Sequence, residues 1–156
     1  MISKELSATL GFAVREAKKR RHEYVCIEHV LYAILHDSSG VEIIENCGGS
    51  VDRLKTELEN YLADRIDSIP EDDEFVLQQT IGFQRMIQRA VTHVRSAEKA
   101  EVTVGDILAS MFQEKDSHAV YFLQTEGITR LDVLNYISHE MPKISFREGE
   151  GGFART

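Results

Sequence analysis

The stretch at residues 25–35, VCIEHVLYAIL, returns 77 residues later at residues 102–112 as VTVGDILASMF, with apolar side chains at matching places. The same offset relates further identities on either side, Ala13-Val14 to Ala90-Val91 and Arg53-Leu54 to Arg130-Leu131. The two copies align without a gap, and the matched positions are mostly those that helical periodicity assigns to a buried face. The sequence therefore predicts an internal repeat.

Each copy has the pattern of four helices. Leu6, Leu10 and Ala13 recur at spacings of four and three, which indicates a long first helix with one apolar face. A short apolar helix, a third helix at about Val41 to Cys47 and a fourth helix follow, and the second copy repeats this order. Strand signals are weak throughout. We predict an all-α fold of eight helices, arranged as two four-helix repeats about a pseudo-twofold axis with one fused core.

The predicted domain covers residues 1–141, with repeat one at 1–64, an acidic connector at 65–79 and repeat two at 80–141. Residues 66–79 carry five acids and no Lys or Arg, and this pattern predicts a mobile, solvated segment. Residues 142–156 contain Pro142 and several glycines, which favours a flexible tail.

The charge balance argues against several classes of function. Eighteen basic and 26 acidic side chains give a net charge of −8, which opposes nucleic-acid binding. No apolar run is long enough for a membrane span, and no secretory signal follows Met1, so a cytoplasmic location is expected. Cys26 and Cys47 have no metal-ligand spacing and fit reduced thiols.

No motif of a catalytic site is present, whether a phosphate loop, a dinucleotide fingerprint or a nucleophile elbow. The closest approach to a constellation is His22-Glu23 followed by Glu28-His29. A zinc site would place two imidazoles one turn apart on one helix, whereas a predicted loop separates these pairs. A structural or surface role is preferred for them. No catalytic residue and no metal ligand is assigned, and this chain is predicted not to be an enzyme.

Three segments carry a more specific pattern. They are residues 22–31 (HEYVCIEHVL), residues 83–91 (FQRMIQRAV) and residues 130–139 (RLDVLNYISH). Together with the doubled helical unit, they resemble the amino-terminal domain of ClpA, a Clp-type AAA+ unfoldase.

The resemblance implies a non-catalytic module of an ATP-driven hexamer that delivers proteins to the ClpP protease. In that family the domain docks the adaptor ClpS, and the resemblance places the adaptor contacts on Glu23, Glu28, Thr80 and Arg85. It further implies that this domain needs no cofactor, that ATP binds elsewhere in the full-length protein, and that residues 142–156 lead towards an ATPase ring.

The residues themselves leave alternatives open. Glu23 and Glu28 offer carboxylates to a basic partner, and the planar guanidinium of Arg85 can bind a carboxylate of a partner. Each of these three residues could equally be an ordinary surface charge, and Thr80 could be an ordinary N-cap. A second hypothesis is an apolar groove between the repeats that binds unfolded or modified proteins directly, as in a ClpC- or ClpB-like unfoldase. The chain departs from the family pattern at Cys26, where Thr is common, and a thiol predicts a weaker N-cap.

Overall fold

The computed structural model describes residues 1–139 and 142–143. Eight helices and two short strands lie within residues 1–139, so the predicted all-α class is confirmed. In chain order they are α1 Lys4–Lys19, β1 Tyr24–Val25, α2 Ile27–Ile34, α3 Ser38–Asn46, α4 Val51–Asp64, β2 Gln78–Gln79, α5 Ile81–Ser96, α6 Val104–Met111, α7 His118–Thr125 and α8 Arg130–His139.

Polar N-caps set where most of the helices begin. In α1 the Ser3 hydroxyl accepts from the Leu6 amide, and in α5 the Thr80 hydroxyl accepts from the Phe83 amide. The start of α3 was predicted about three residues too late, because Asp37 caps it by accepting from the Gly40 amide at 2.9 Å. Such bonds satisfy amides that have no partner inside the helix.

Equivalent positions of the two repeats lie 77 residues apart only through the second helix of each. Ser3 and Thr80 obey this offset, whereas Gly48 and Gly127, which follow α3 and α7 with φ of 91° and 77°, lie 79 apart. The gap-free alignment is therefore wrong beyond the second helix. The loop at residues 112–117 is longer than its counterpart at residues 35–37 and shifts the register.

The two repeats exchange backbone contacts reciprocally. Gln79 of β2 pairs in parallel with Val25 of β1, and Ile2 forms an isolated parallel bridge to Val102. Ile2 and Gln79 are equivalent, as are Val25 and Val102, so each repeat lends the segment before its first helix to the other repeat. An approximate twofold axis produces this contact pattern. Strands of two residues are too short to show a period of two in the sequence.

One hydrophobic core spans both repeats, as expected from the sequence. Leu31, Leu54 and Leu108 are fully buried members of it. An ion pair between Arg53 Nε and Glu126 Oε2 at 2.9 Å joins the repeats at the surface, and Glu126 also accepts from the Ser50 amide at 2.8 Å. Each repeat alone would expose the apolar face that it buries against the other.

The acidic connector makes more contacts than its composition predicts. Arg21, which lies two residues after α1 and has a φ of 59°, donates to the carbonyls of Ile69, Pro70 and Asp73. Its guanidinium also lies 5.1 Å from the Phe75 ring centroid. Arg21 thus anchors a segment that was expected to be solvated, and the Ser68 hydroxyl adds a hydrogen bond to the Arg20 carbonyl at 2.9 Å.

The predicted end of the domain at residue 141 lies outside the described residues, as does most of the predicted linker at residues 142–156. Within the described part, the Lys143 amide donates to the Asn46 carbonyl at 2.8 Å, and its ammonium lies 3.0 Å from Asp132.

Candidate functional site

Two adjoining grooves gather the four residues that the sequence predicted as adaptor contacts. The first, of about 590 Å³, is lined by Glu28, Thr80 and Arg85, and the second, of about 380 Å³, by Glu23, Glu28 and Thr80. We call them together the docking grooves. They lie where β1, β2 and the N-termini of α2, α5 and α7 meet, so both repeats build them.

Glu23 is the most available of the four side chains. It is exposed, it immediately precedes β1, and its carboxylate makes no hydrogen bond or ion pair within the described part of the chain. Its backbone carbonyl accepts from the Gln78 amide at 2.9 Å, which fixes the backbone. Tyr24, next to it, is also exposed, so a carboxylate and an aromatic ring face solvent together.

Glu28 differs from the expectation of a surface carboxylate. It is only 6% exposed, and its Oε2 accepts from the Ala119 amide at 3.0 Å. Ala119 lies in the first turn of α7, where a negative charge complements the helix dipole. Glu28 therefore ties α2 of repeat one to α7 of repeat two and holds one wall of the docking grooves.

The planar fork of Arg85 is already engaged inside the chain. Its Nε and Nη2 donate to Glu114 at 3.0 and 2.7 Å, and Arg89 donates to the same carboxylate at 2.5 Å. These bonds, with the Arg85 hydrogen bonds foremost, lower the pKa of Glu114 to about 2 despite its burial. Half of the Arg85 side chain stays exposed, so one face of the fork remains open to solvent.

Sequence reasoning missed Glu114. It lies in the longer loop between α6 and α7, in the inserted region that has no counterpart in repeat one. A gap-free alignment hides this insertion, and the sequence does not show which of its two acids, Glu114 or Asp116, would contact Arg85 and Arg89.

Thr80 has the N-cap role that was considered for it, accepting from the Phe83 amide at 3.1 Å. Its own amide donates to the Val25 carbonyl at 3.2 Å, next to the strand pair. The threonine thus fixes the start of α5, and with it the position of Arg85 one turn later.

The histidines of the His22-Glu23 and Glu28-His29 pairs contact each other. His22 Nδ1 and His29 Nε2 lie 2.8 Å apart, and both residues are buried. The Cys26 amide donates to His29 Nδ1 at 3.0 Å, so Nε2 carries the proton and donates to His22. The pair closes the loop that presents Glu23.

Repeat two has an ion pair at the equivalent place. Lys99 and Asp106 lie 77 residues after His22 and His29, and Lys99 Nζ lies 2.6 Å from Asp106 Oδ1. Asp106 also accepts from the Thr103 amide at 2.9 Å, as His29 accepts from Cys26. Repeat one therefore uses two neutral rings where repeat two uses opposite charges.

Cys26 is the N-cap residue of α2. Its sulfur is a weak acceptor for the His29 amide at the third position of α2, whereas the Thr103 hydroxyl at the equivalent place accepts from the Asp106 amide at 3.3 Å. Cys26→Thr should raise the free energy of unfolding by about 0.5–1 kcal/mol, because a hydroxyl accepts from the helix amide more strongly than sulfur does. Urea denaturation measures it. Cys47→Thr is the control, since that thiol is buried and a hydroxyl there should destabilise; equal gains from both would contradict the cap.

No group of three or more potential metal ligands is arranged to hold an ion within the part of the chain that the structure describes. Among the same residues, none of the helices is both long and apolar enough to cross a membrane.

Known proteins share this architecture. Residues 1–126 match the family described as the Clp repeat (R) N-terminal domain. A ClpA homolog protein of Fuscovulum blasticum is 35% identical over 144 residues, which are 90% of this chain and 18% of that protein. This chain therefore spans less than a fifth of that relative's length.

Solved structures agree in fold. The Hsp104 N-terminal domain of Candida albicans has a TM-score of 0.76 at 10% identity, covering 90% of this chain and 93% of that one. A ClpV N-domain in complex with a VipB peptide has a TM-score of 0.69 at 19% identity, and the match covers 88% of this chain and 85% of that one. Because the family match covers α1 through α7, which is most of the chain, this chain belongs to the Clp repeat N-terminal domain family.

Proposed function

We propose that this domain is the docking module of a ClpA-type unfoldase and binds the adaptor ClpS at the docking grooves. The observation that supports the proposal most is the convergence of Glu23, Glu28, Thr80 and Arg85 on two adjoining grooves, although they come from distant parts of the sequence. The similarity to a ClpA homolog protein supports the ClpA branch.

The grooves offer a polar, reversible contact. Glu23 presents a free carboxylate to a basic group of the adaptor. The exposed part of the Arg85 guanidinium donates to an acceptor on the adaptor. Exposed Tyr24 and Ile81 supply apolar area beside these charges. Glu28 acts indirectly, because it is buried and positions α7. Exposed charge pairs are screened by salt, so affinity falls as ionic strength rises.

In the full-length protein, ATP-driven rings outside this domain would assemble as a hexamer and unfold proteins that the adaptor delivers. The unfolded proteins would then pass to the ClpP protease in the cytoplasm. This domain takes part by binding and carries no catalytic step.

The central test is titration calorimetry of the domain with ClpS. Glu23→Lys should weaken binding by about tenfold, or about 1.4 kcal/mol, because it replaces attraction with repulsion at an exposed site. Glu45→Lys is the matched control, since Glu45 is exposed on α3 and lines neither groove. Equal weakening by both variants would show a general effect of charge and contradict the assigned contact.

Glu28→Gln separates the direct role from the indirect one. The amide keeps an oxygen for the Ala119 amide while removing the charge, so affinity should stay within about twofold. A loss as large as that of Glu23→Lys would make Glu28 a contact residue in its own right.

Direct recognition of peptides is the second candidate function. The specific observation in its favour is the similar ClpV N-domain that binds a VipB peptide. Binding of a denatured model protein without adaptor, with chemical-shift changes at residues between the repeats, would favour it over adaptor docking.

A further inference from the structure

A third groove lies entirely within repeat two, between α5, α6 and α8. Its volume is about 500 Å³, in the usual range for ligand sites. One wall is the polar face of α5, including Gln88, Thr92 and His93, and the opposite wall is Arg130 and Leu134 of α8. Ala109 of α6 lies between them. We call it the α5–α8 groove.

The α5–α8 groove is rich in cations and poor in available carboxylates. Asp106 is the one acid among its lining residues, and its fully buried side chain is bonded to Lys99 and to the Thr103 amide. Arg85 and Arg89 share the single carboxylate of Glu114, which leaves one positive charge uncompensated. Positive charge thus accumulates locally in a chain whose net charge is −8.

Arg130 adds a second uncompensated charge. It is exposed at the first position of α8, and its guanidinium has no hydrogen bond or ion pair within residues 1–139 and 142–143. The side chains of Gln88 and Gln113, which also line the groove, have no hydrogen-bond partner in the same part of the chain. Their amides are free to donate to a ligand.

The cationic surface continues beyond this groove. A neighbouring groove of about 450 Å³ shares Gln113 and Arg130 with it and adds Lys115. Because the two grooves share lining residues, they adjoin and carry cations along both. The chain's net charge of −8 opposes nucleic acid, and no Phe, Tyr or Trp lines the α5–α8 groove for base stacking.

We propose that the α5–α8 groove binds an extended acidic segment of a partner protein. Arg130 and the Arg85–Arg89 pair receive carboxylates of that segment, and Gln88, Thr92 and Gln113 bond its backbone. Charge complementarity carries the proposal. The α5–α8 groove shares Arg85 with the docking grooves but not Glu23, so variants of Glu23 and Arg130 separate the two proposals.

The test uses a short fluorescein-labelled peptide in which glutamate alternates with serine, titrated with the domain and followed by fluorescence anisotropy. We expect saturable binding that weakens with added salt, and at least a tenfold weaker affinity for the matched peptide with glutamine. Equal binding of the glutamine peptide would overturn the proposal.

Two variants locate the site. Arg130→Glu should weaken peptide binding about tenfold, and it suits the N-terminus of α8, where a carboxylate complements the helix dipole. Arg95→Glu is the control, because Arg95 is exposed on α5 and does not line the groove. An unchanged affinity for Arg130→Glu, or an equal loss for both variants, would overturn the assignment.

Chemical-shift mapping gives an independent readout. Peptide addition should shift the amides of Gln88, Thr92 and Ala109 and leave that of Tyr24 in place. Shifts confined to the docking grooves would contradict the proposal. Adaptor binding should weaken about tenfold in Glu23→Lys and stay unchanged in Arg130→Glu, so this inference and the adaptor proposal fail separately.

Discussion

Gly40→Ala is expected to lower the free energy of unfolding by about 3 kcal/mol. A Cβ at this position would lie 2.3 Å from the Ile34 carbonyl oxygen and 2.6 Å from Ile34 Cγ2. The oxygen belongs to the backbone at the end of α2 and cannot rotate away, so α3 must move outward. Chemical denaturation followed by circular dichroism measures the loss.

Gly11→Ala is the matched control and should act in the opposite direction. Gly11 lies inside α1, and an added Cβ would approach only the Arg15 guanidinium, at 3.2 Å, which is the mobile end of an exposed side chain. Removing a glycine from a helix interior should stabilise the domain by about 0.5–1 kcal/mol. An increase in the free energy of unfolding for both variants would contradict the close contact between Gly40 and the Ile34 carbonyl.

Acid should destabilise the domain well before its carboxylates titrate. Burial lowers the pKa of His29 to about 3, with the neighbouring His22 and Arg20 adding to the effect, and burial likewise lowers the pKa of His22. The unfolded chain, with histidines near 6.5, binds more protons than the folded one, so stability falls as pH drops below about 6.5. His29 alone should remove about 2 kcal/mol between pH 7.5 and 5.

The carboxylates act in a lower pH range. The pKa of Glu114 is lowered to about 2, so its contribution to stability is complete above about 4.5 and is lost as pH falls towards 2. Denaturation midpoints measured across the pH range separate the two phases.

Repeat two supplies a designed control for the histidines. His22→Lys combined with His29→Asp copies the Lys99–Asp106 ion pair and should abolish the loss of stability between pH 7.5 and 5. His93→Gln should leave that loss unchanged, because His93 is exposed. Should the double variant fail to fold, NMR titration of the wild-type ring protons decides: a His29 that titrates near pH 6.5 would contradict the prediction.

The sequence predicted the class and order of the helices because their apolar faces recur at helical spacing. Leu31 and Leu108 were matched correctly and are both fully buried. The sequence-based prediction failed where individual hydrogen bonds, and not the spacing of apolar residues, determine the structure. Asp37 extends α3 through a single cap, Arg21 anchors the connector from a distant loop, and the strand pairs are too short for any pattern.

The candidate site was predicted only through resemblance, since its four residues are scattered along the chain. Their individual environments could not be predicted in the same way. Glu28 and Glu23 are both acids beside apolar residues, and only the arrival of α7 buries one and leaves the other exposed. Arg85 looked like a solvated helix charge because Glu114, its partner, lies in a loop that has no repeat equivalent.

The bridge between Ile2 and Val102 has a consequence for synthesis on the ribosome. Ile2 cannot pair until Val102 has left the ribosome, so this edge of repeat one stays unpaired while repeat two is being synthesised. Pairings so distant along the chain slow folding and favour a single late closing step over sequential completion of two halves.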